Sequence, residues 1–164
     1  MKYLPLEVRA TSLKELELFS RAEEDVDTKI WIGDDASFDW HLSMHNDTNV
    51  HHLTLARNNQ PIGYITIVPV PNTEKEFELL RGITLPAYRG RYGVSWFLSS
   101  VNYAFTKLSA EVVWLDVFEA NHRAIKIYRA SGFKEVHTQP FKRDGEDPVN
   151  LVTMKMTREQ WKAP

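Results

Sequence analysis

The hydrophobic period changes twice between residues 76 and 118, and that change limits the folds open to this chain. Residues 76–85 (EFELLRGITL) alternate in the manner of a strand. Val94, Phe97, Leu98, Val101, Phe105 and Leu108 then recur at steps of three and four, which is one face of a helix. Residues 112–118 (VVWLDVF) are nearly all apolar, as in a strand buried on both sides. A strand, a helix and a second strand in that order form a crossover, so the two strands pair in parallel.

The flanking segments fit around this unit. Residues 4–10 read as a strand. Ser12 and Glu15 make a capping-box pattern, with Leu13, Leu16 and Phe19 at helical spacing behind them. A weaker helix is expected around 37–46. Residues 51–57 and 61–70 are strand-like and flank the turn Asn58-Asn59-Gln60, which predicts a hairpin. The patch at 69–76 (PVPNTEKE) reads as a turn between strands. A short helix from about 122 to 131 starts at Asn121 and stops at Gly132, whose freedom at positive φ suits a helix end. Two more strands are expected near 133–142 and 149–156. The order is β-α-α-β-β-β-α-β-α-β-β. It predicts an α+β fold, a mixed sheet of about seven strands flanked by about four helices. No repeat, low-complexity stretch or linker divides the 164 residues, so a single domain over 1–164 is expected.

Composition removes several classes of function. The 20 basic and 22 acidic side chains leave a net charge of −2, which argues against a nucleic-acid partner. The absence of cysteine excludes disulfides, thiolate metal sites and a Cys nucleophile. No apolar run approaches the roughly 18 residues of a membrane span, and the first residues lack a signal-peptide core. A soluble, cytoplasmic protein with no membrane partner is the expectation.

The stretch 83–94 (ITLPAYRGRYGV) carries the chemistry. It joins a strand to a strong helix, so unpaired helix-start N–H groups face whatever lies beyond the strand. Gly90 and Gly93 permit close backbone approach, and Arg89 and Arg91 add positive charge. Such a turn suits a phosphate or pyrophosphate. It is not a Walker loop, because no Gly-Lys-Ser/Thr follows, and it lacks the three-glycine dinucleotide spacing. The residues alone equally allow a surface turn with solvated arginines.

LPAYRGRYGVSWFL, followed about thirty residues later by EANHRAIKIYRASGF, resembles the GNAT N-acetyltransferase superfamily. The second piece is the more specific, with Asn121, Ala124, Tyr128, Gly132 and Phe133 in the family pattern behind a buried strand. The resemblance covers 76–136 closely and implies acetyl transfer from acetyl-CoA to an amine. It implies that strands 76–85 and 112–118 splay apart around the pantetheine arm. Backbone groups of Ile83, Thr84 and Leu85 would pair with that arm. The turn residues Arg89, Gly90, Arg91, Tyr92, Gly93 and Val94 would hold the pyrophosphate. Asn121, Arg123 and Tyr128 would complete the cofactor side, with Arg123 near the 3′-phosphate. One departure stands out. Aligned from Arg89, Tyr92 and Val94 occupy places where the family has Gly and Gly/Ala, so their bulk is expected to crowd the phosphates.

Amine acetylation needs a base, because an alkylamine is mostly protonated at neutral pH. By the same resemblance, Glu78 falls where many family members carry a glutamate, and it leads as the base. Glu76, on the same pleat face, and Asp116, inside VVWLDVF, are alternatives. Tyr128 stands where the family often places the acid that serves the departing thiolate. His41 and His45 share a helix face, but no third ligand is evident and no metal is expected. Only one of His51 and His52 can face the core.

The segment 21–40 is expected to frame the acceptor pocket. It carries Glu23, Glu24, Asp25, Asp27, Asp34, Asp35 and Asp39 interleaved with Trp31, Phe38 and Trp40. Acidic groups beside aromatic faces suit a cationic amine, small or on a protein. The alternative is a catalytically silent acyl-CoA-binding or protein-interaction module, which the altered loop favours. A homodimer is left open.

Overall fold

The computed structural model describes residues 2–32 and 37–164. The elements are β1 (Glu7–Ala10), α1 (Leu13–Ala22), α2 (Val26–Lys29), α3 (Phe38–Asn46), β2 (His51–Arg57), β3 (Gln60–Pro69), β4 (Glu76–Thr84), α4 (Gly93–Thr106), β5 (Val112–Phe118), α5 (His122–Ala130), β6 (Lys134–Phe141) and β7 (Val149–Thr157). A single 3₁₀ turn, Pro86–Tyr88, precedes α4. The seven strands form one mixed sheet in the order β1-β2-β3-β4-β5-β7-β6. Every neighbouring pair is antiparallel except β4 with β5, as the crossover requires.

Two differences from the expected elements have local causes. β1 is shorter than 4–10 because Leu4 and Leu6 donate their backbone N–H groups to Ser95 and Ser99 on α4, at 2.9 and 3.1 Å, instead of entering the ladder. α2 is an extra helix. Asp25 caps it by accepting from the Thr28 N–H at 3.2 Å, and four residues are too few to show a period. The capping box at Ser12 and Glu15 is formed, Asn121 caps α5, and Gly132 sits at φ +102°.

The sheet buries both faces. Toward α4, Leu53, Leu55, Ile65, Ile67, Leu79 and Val113 pack against Phe97, Val101 and Phe105. Toward α1 and α2, Tyr64, Ile83 and Leu85 pack with Phe19 and Ile32. The second face also carries a buried polar chain. The Tyr64 hydroxyl donates to Glu23, and His41 Nε2 donates to the other carboxylate oxygen at 3.1 Å. His41 Nδ1 meets His52 Nε2 at 2.9 Å, and His52 Nδ1 meets the Thr11 hydroxyl at 2.9 Å. Burial, then repulsion from His41, pushes His52 down to about 3, so it stays neutral. Each ring nitrogen therefore has a partner, which is what allows two histidines and a carboxylate in a dry core.

Where β4 passes α4, the ladder breaks. Thr66 faces Arg81 while Ile67 faces Leu79, so Leu80 is an extra residue in β4. On its other edge β4 pairs with β5 only at Glu76–Val112, Phe77–Val113 and Glu78–Trp114.

Tyr64→Phe keeps the ring and deletes one donor to the buried Glu23 carboxylate. Urea unfolding is expected to show a stability loss of about 1–3 kcal/mol with an unchanged denaturant slope.

Candidate active site

The unpaired lengths of β4 and β5 are the two sides of a cavity of about 470 Å³. Leu79 to Thr84 line one side and Leu115 to Phe118 the other. The starts of α4 and α5 close one end with Gly93, Trp96, Asn121 and Tyr128. Asp27, Thr28 and Trp31 from the α2 segment and Trp40 from α3 close another. Gly82 is required here. A Cβ at that position would lie 2.5 Å from the Tyr64 carbonyl oxygen and 2.6 Å from the Trp96 ring. Its absence lets the Trp96 indole lie against β4 and donate to the Tyr64 carbonyl at 2.9 Å.

Gly90, at φ +81°, and Gly93 present bare backbone to the cavity at the start of α4. Among the described residues no side chain caps that helix, so its first-turn N–H groups are open to an anion. Arg123 is exposed beside them, its Nη2 3.4 Å from where a Cβ on Gly90 would stand. Of the other turn residues, Ile83, Thr84 and Arg89 line the cavity, whereas Leu85, Arg91, Tyr92 and Val94 do not. The Leu85 N–H already donates to Ile62 at 2.8 Å.

Two sequence expectations change here. Tyr92 does not crowd the phosphate turn: it is 5% exposed, packs in the α4-side core, and its hydroxyl accepts from Arg57 at 3.3 Å. The backbone that faces the cavity at this turn is that of Gly90 and Gly93. Nor is Arg89 free for a pyrophosphate. Its guanidinium donates to Asp25 at 2.7 Å and to Thr28 Oγ1 at 2.5 Å, and lies 3.5 Å from Asp27.

Tyr128 lines the cavity 4.4 Å, centroid to centroid, from Phe97. Burial pushes its phenol up to about 12, so the hydroxyl keeps its proton at every physiological pH. Across the cavity, Asp116 accepts from the Thr153 hydroxyl at 2.5 Å. Glu78 lies next to Asp116 rather than on the cavity wall. Burial first, and the Asp116 charge second, raise its pKa above the usual carboxylate value. Glu76 is committed elsewhere, accepting from the Trp114 indole at 2.7 Å.

On the acceptor side, Asp27, Trp31 and Trp40 reach the cavity, but Glu23 is in the buried chain and Asp25 is bound to Arg89. Asp34 and Asp35 lie outside the described residues. Arg81 was not anticipated. Its guanidinium lies 4.5 Å over the Trp40 ring on the cavity wall, and only the position of Trp40, unknown from sequence, reveals it. His41 is buried, and His45 Nε2 bonds the Thr11 carbonyl at 3.0 Å. The described residues gather no group of three His, Cys, Asp or Glu suited to a metal.

The profile of the acetyltransferase (GNAT) family matches residues 11–133. The chain belongs to the GNAT family. Its donor is therefore acetyl-CoA, and the open strand pair, the uncapped α4 start and Arg123 fit that molecule. A search of curated proteins finds no match to this GNAT chain. Among solved structures, the spermidine N-acetyltransferase from Vibrio cholerae in complex with CoA and spermine superposes with a TM-score of 0.81 at 18% identity, covering 94% of this chain and 96% of that one. A spermidine N-acetyltransferase chimera from Vibrio cholerae and hSSAT gives a TM-score of 0.81 at 18% identity, covering 95% of this chain and 97% of that one. At this identity the likeness establishes the shared GNAT fold.

Tyr92→Gly removes a core aromatic and adds a glycine at a helix start. It is expected to cost about 3–5 kcal/mol in denaturant unfolding. No tightening of CoA binding should appear in calorimetric titration of the protein that remains folded.

Proposed function

We propose that this GNAT protein is an N-acetyltransferase of a cationic amine, with Glu78 as the base and Tyr128 as the acid. The carrying observation is the placement of these two groups. Tyr128 and Asp116 line the β4–β5 cavity, and Glu78 lies off its wall with the Asp116 charge bearing on it. Each is shifted toward its protonated form by burial.

Acetyl-CoA supplies the activated acyl group. The open N–H groups of α4, with Gly90, Gly93 and Arg123, hold its phosphates, and the free edges of β4 and β5 at Ile83 and Thr84 flank its arm. Asn121 supports this end by capping α5, its Oδ1 accepting from the Ala124 N–H at 3.2 Å. The acceptor ammonium enters beside Trp31, whose face attracts a cation, with Asp27 and Asp116 supplying negative charge; the Trp40 ring already carries Arg81. Glu78 takes one proton from it, directly or through water, and the amine becomes nucleophilic. Tyr128 Oη holds the proton that the departing sulfur requires. A polyamine is the first acceptor class to test, since the Vibrio cholerae enzyme of the same fold is seen with spermine. The silent-module alternative loses its support, because the bulk of Tyr92 is turned into the core.

The test is release of CoA thiol from acetyl-CoA in the presence of spermidine, and separately of a lysine-containing peptide. Turnover with spermidine supports the reading. CoA binding with no turnover on any amine would return the protein to the silent class.

The pH dependence separates the two residues. The Glu78 pKa is raised in the folded protein, so its carboxylate forms at higher pH than that of an ordinary glutamate, and kcat/KM should rise with pH through that value. Glu78→Gln should lose that rise and recover activity only toward the pKa of the amine. Tyr128→Phe keeps the ring and should lower kcat by roughly 10²-fold at all pH values, with acetyl-CoA affinity nearly unchanged. Near wild-type turnover in Tyr128→Phe would remove the acid role.

A further inference from the structure

We propose that Arg89 is a positioning residue for the acceptor wall: it latches α2 to the turn before α4 and leaves the phosphates to Arg123. The inference rests on the acetyl-CoA reading of that turn.

α2 is four residues long, too short to persist without tertiary support. Its backbone is closed by Thr28 and Lys29 N–H groups on the Asp25 carbonyl, at 3.0 and 2.9 Å, and by the Trp31 N–H on the Thr28 carbonyl at 3.0 Å. Its cap is the Asp25 carboxylate, whose Oδ2 accepts from both the Thr28 N–H and the Thr28 hydroxyl at 3.2 Å. Arg89 donates to that same Oδ2 and to the same threonine hydroxyl oxygen. The Arg89 hydrogen bond, ahead of every other cause, holds the Asp25 carboxyl below its usual value. One guanidinium thus fastens the cap, the first turn and, through Asp27, the middle of the helix. What it fastens is the wall bearing Asp27, Thr28 and Trp31.

Arg89 is poorly placed to serve an anion as well. Two carboxylates and a hydroxyl already surround its guanidinium, and turning to a phosphate breaks the charge-assisted pairs with α2. Arg123 has no carboxylate partner among the described residues and stands beside Gly90 at the open helix start. The two arginines at this turn therefore divide the work: one shapes the acceptor side, the other meets the donor.

The experiment compares Arg89→Gln, Arg89→Lys and Arg123→Gln in the full chain. Three readouts are used: amide hydrogen exchange over residues 24–32, calorimetric titration with CoA, and KM for acetyl-CoA and for spermidine. Arg89→Gln is expected to speed exchange at Thr28, Lys29 and Trp31 about tenfold while α4 stays protected. Its CoA affinity should hold within about threefold, and its KM for spermidine should rise. Arg89→Lys should fall between, because an ammonium keeps the charge but not the fork. Arg123→Gln should weaken CoA by about tenfold with unchanged exchange over 24–32. Unchanged exchange in Arg89→Gln overturns the latch. So does a loss of CoA affinity in Arg89→Gln as large as in Arg123→Gln. The exchange measurement needs no ligand, so a wild-type protein that failed to bind CoA would count against the acetyltransferase reading and not against the latch.

Discussion

Parallel pairing between β4 and β5 ends at Glu78–Trp114, and the site exists because it ends there. A seven-stranded sheet that stayed paired throughout would be closed to ligand at its centre. Two devices keep it open. The extra residue Leu80 bends β4 away from the line that pairing would follow. Gly82 then admits the Trp96 indole against the strand, and that indole bonds the β3 backbone at Tyr64 rather than anything on β5. The backbone groups freed along the β4 and β5 edges need partners, since unpaired backbone in a protein interior is costly. An extended, amide-bearing arm such as that of CoA meets this need.

The same sheet separates two kinds of buried acid. Glu23 has two donors, Tyr64 and His41, of which His41 is in turn bonded to His52, and His52 to Thr11. Its charge is fully engaged inside the α1–α3 face, where it anchors the elements behind Trp40. Among the described residues Glu78 has no such donor. It has a carboxylate neighbour instead, so burial and repulsion act in the same direction on it. Structural carboxylates are stabilised by satisfying them, and a base is prepared by withholding that satisfaction.

The crossover, the helix caps and the position of the glycine turn before α4 were legible in the sequence, because each rests on local spacing: the apolar face from Val94 to Leu108, Ser12 with Glu15, Gly90 and Gly93. The fate of the charged residues was not. Glu23, Asp25 and Asp27 look alike in an acidic stretch, yet one is buried, one caps α2 under Arg89, and one faces the cavity. Contacts across 18 to 64 residues of sequence decide this, and no local pattern encodes them. Arg89 is read from the sequence as a phosphate ligand for a related reason: its bonds to Asp25 and Thr28, and the burial of the Tyr92 ring, are likewise contacts that no local pattern encodes.

Tyr128, on the cavity wall, and Glu78, off it, share one physical cause. Burial disfavours charge, so the phenol and the carboxyl both titrate above their values in water. For the phenol the consequence is simple: at about 12 it stays a donor throughout the working range. For the carboxyl the consequence is an exchange. A higher pKa makes Glu78 a stronger base than an ordinary glutamate, yet its carboxylate forms only at higher pH. Asp116, exposed and hydrogen-bonded to Thr153, adds the second cause of that rise after burial. An entering ammonium reverses the sign of that environment, since a cation near both carboxylates favours their ionised forms. In the reaction proposed above, acceptor binding itself draws Glu78 toward its ionised form.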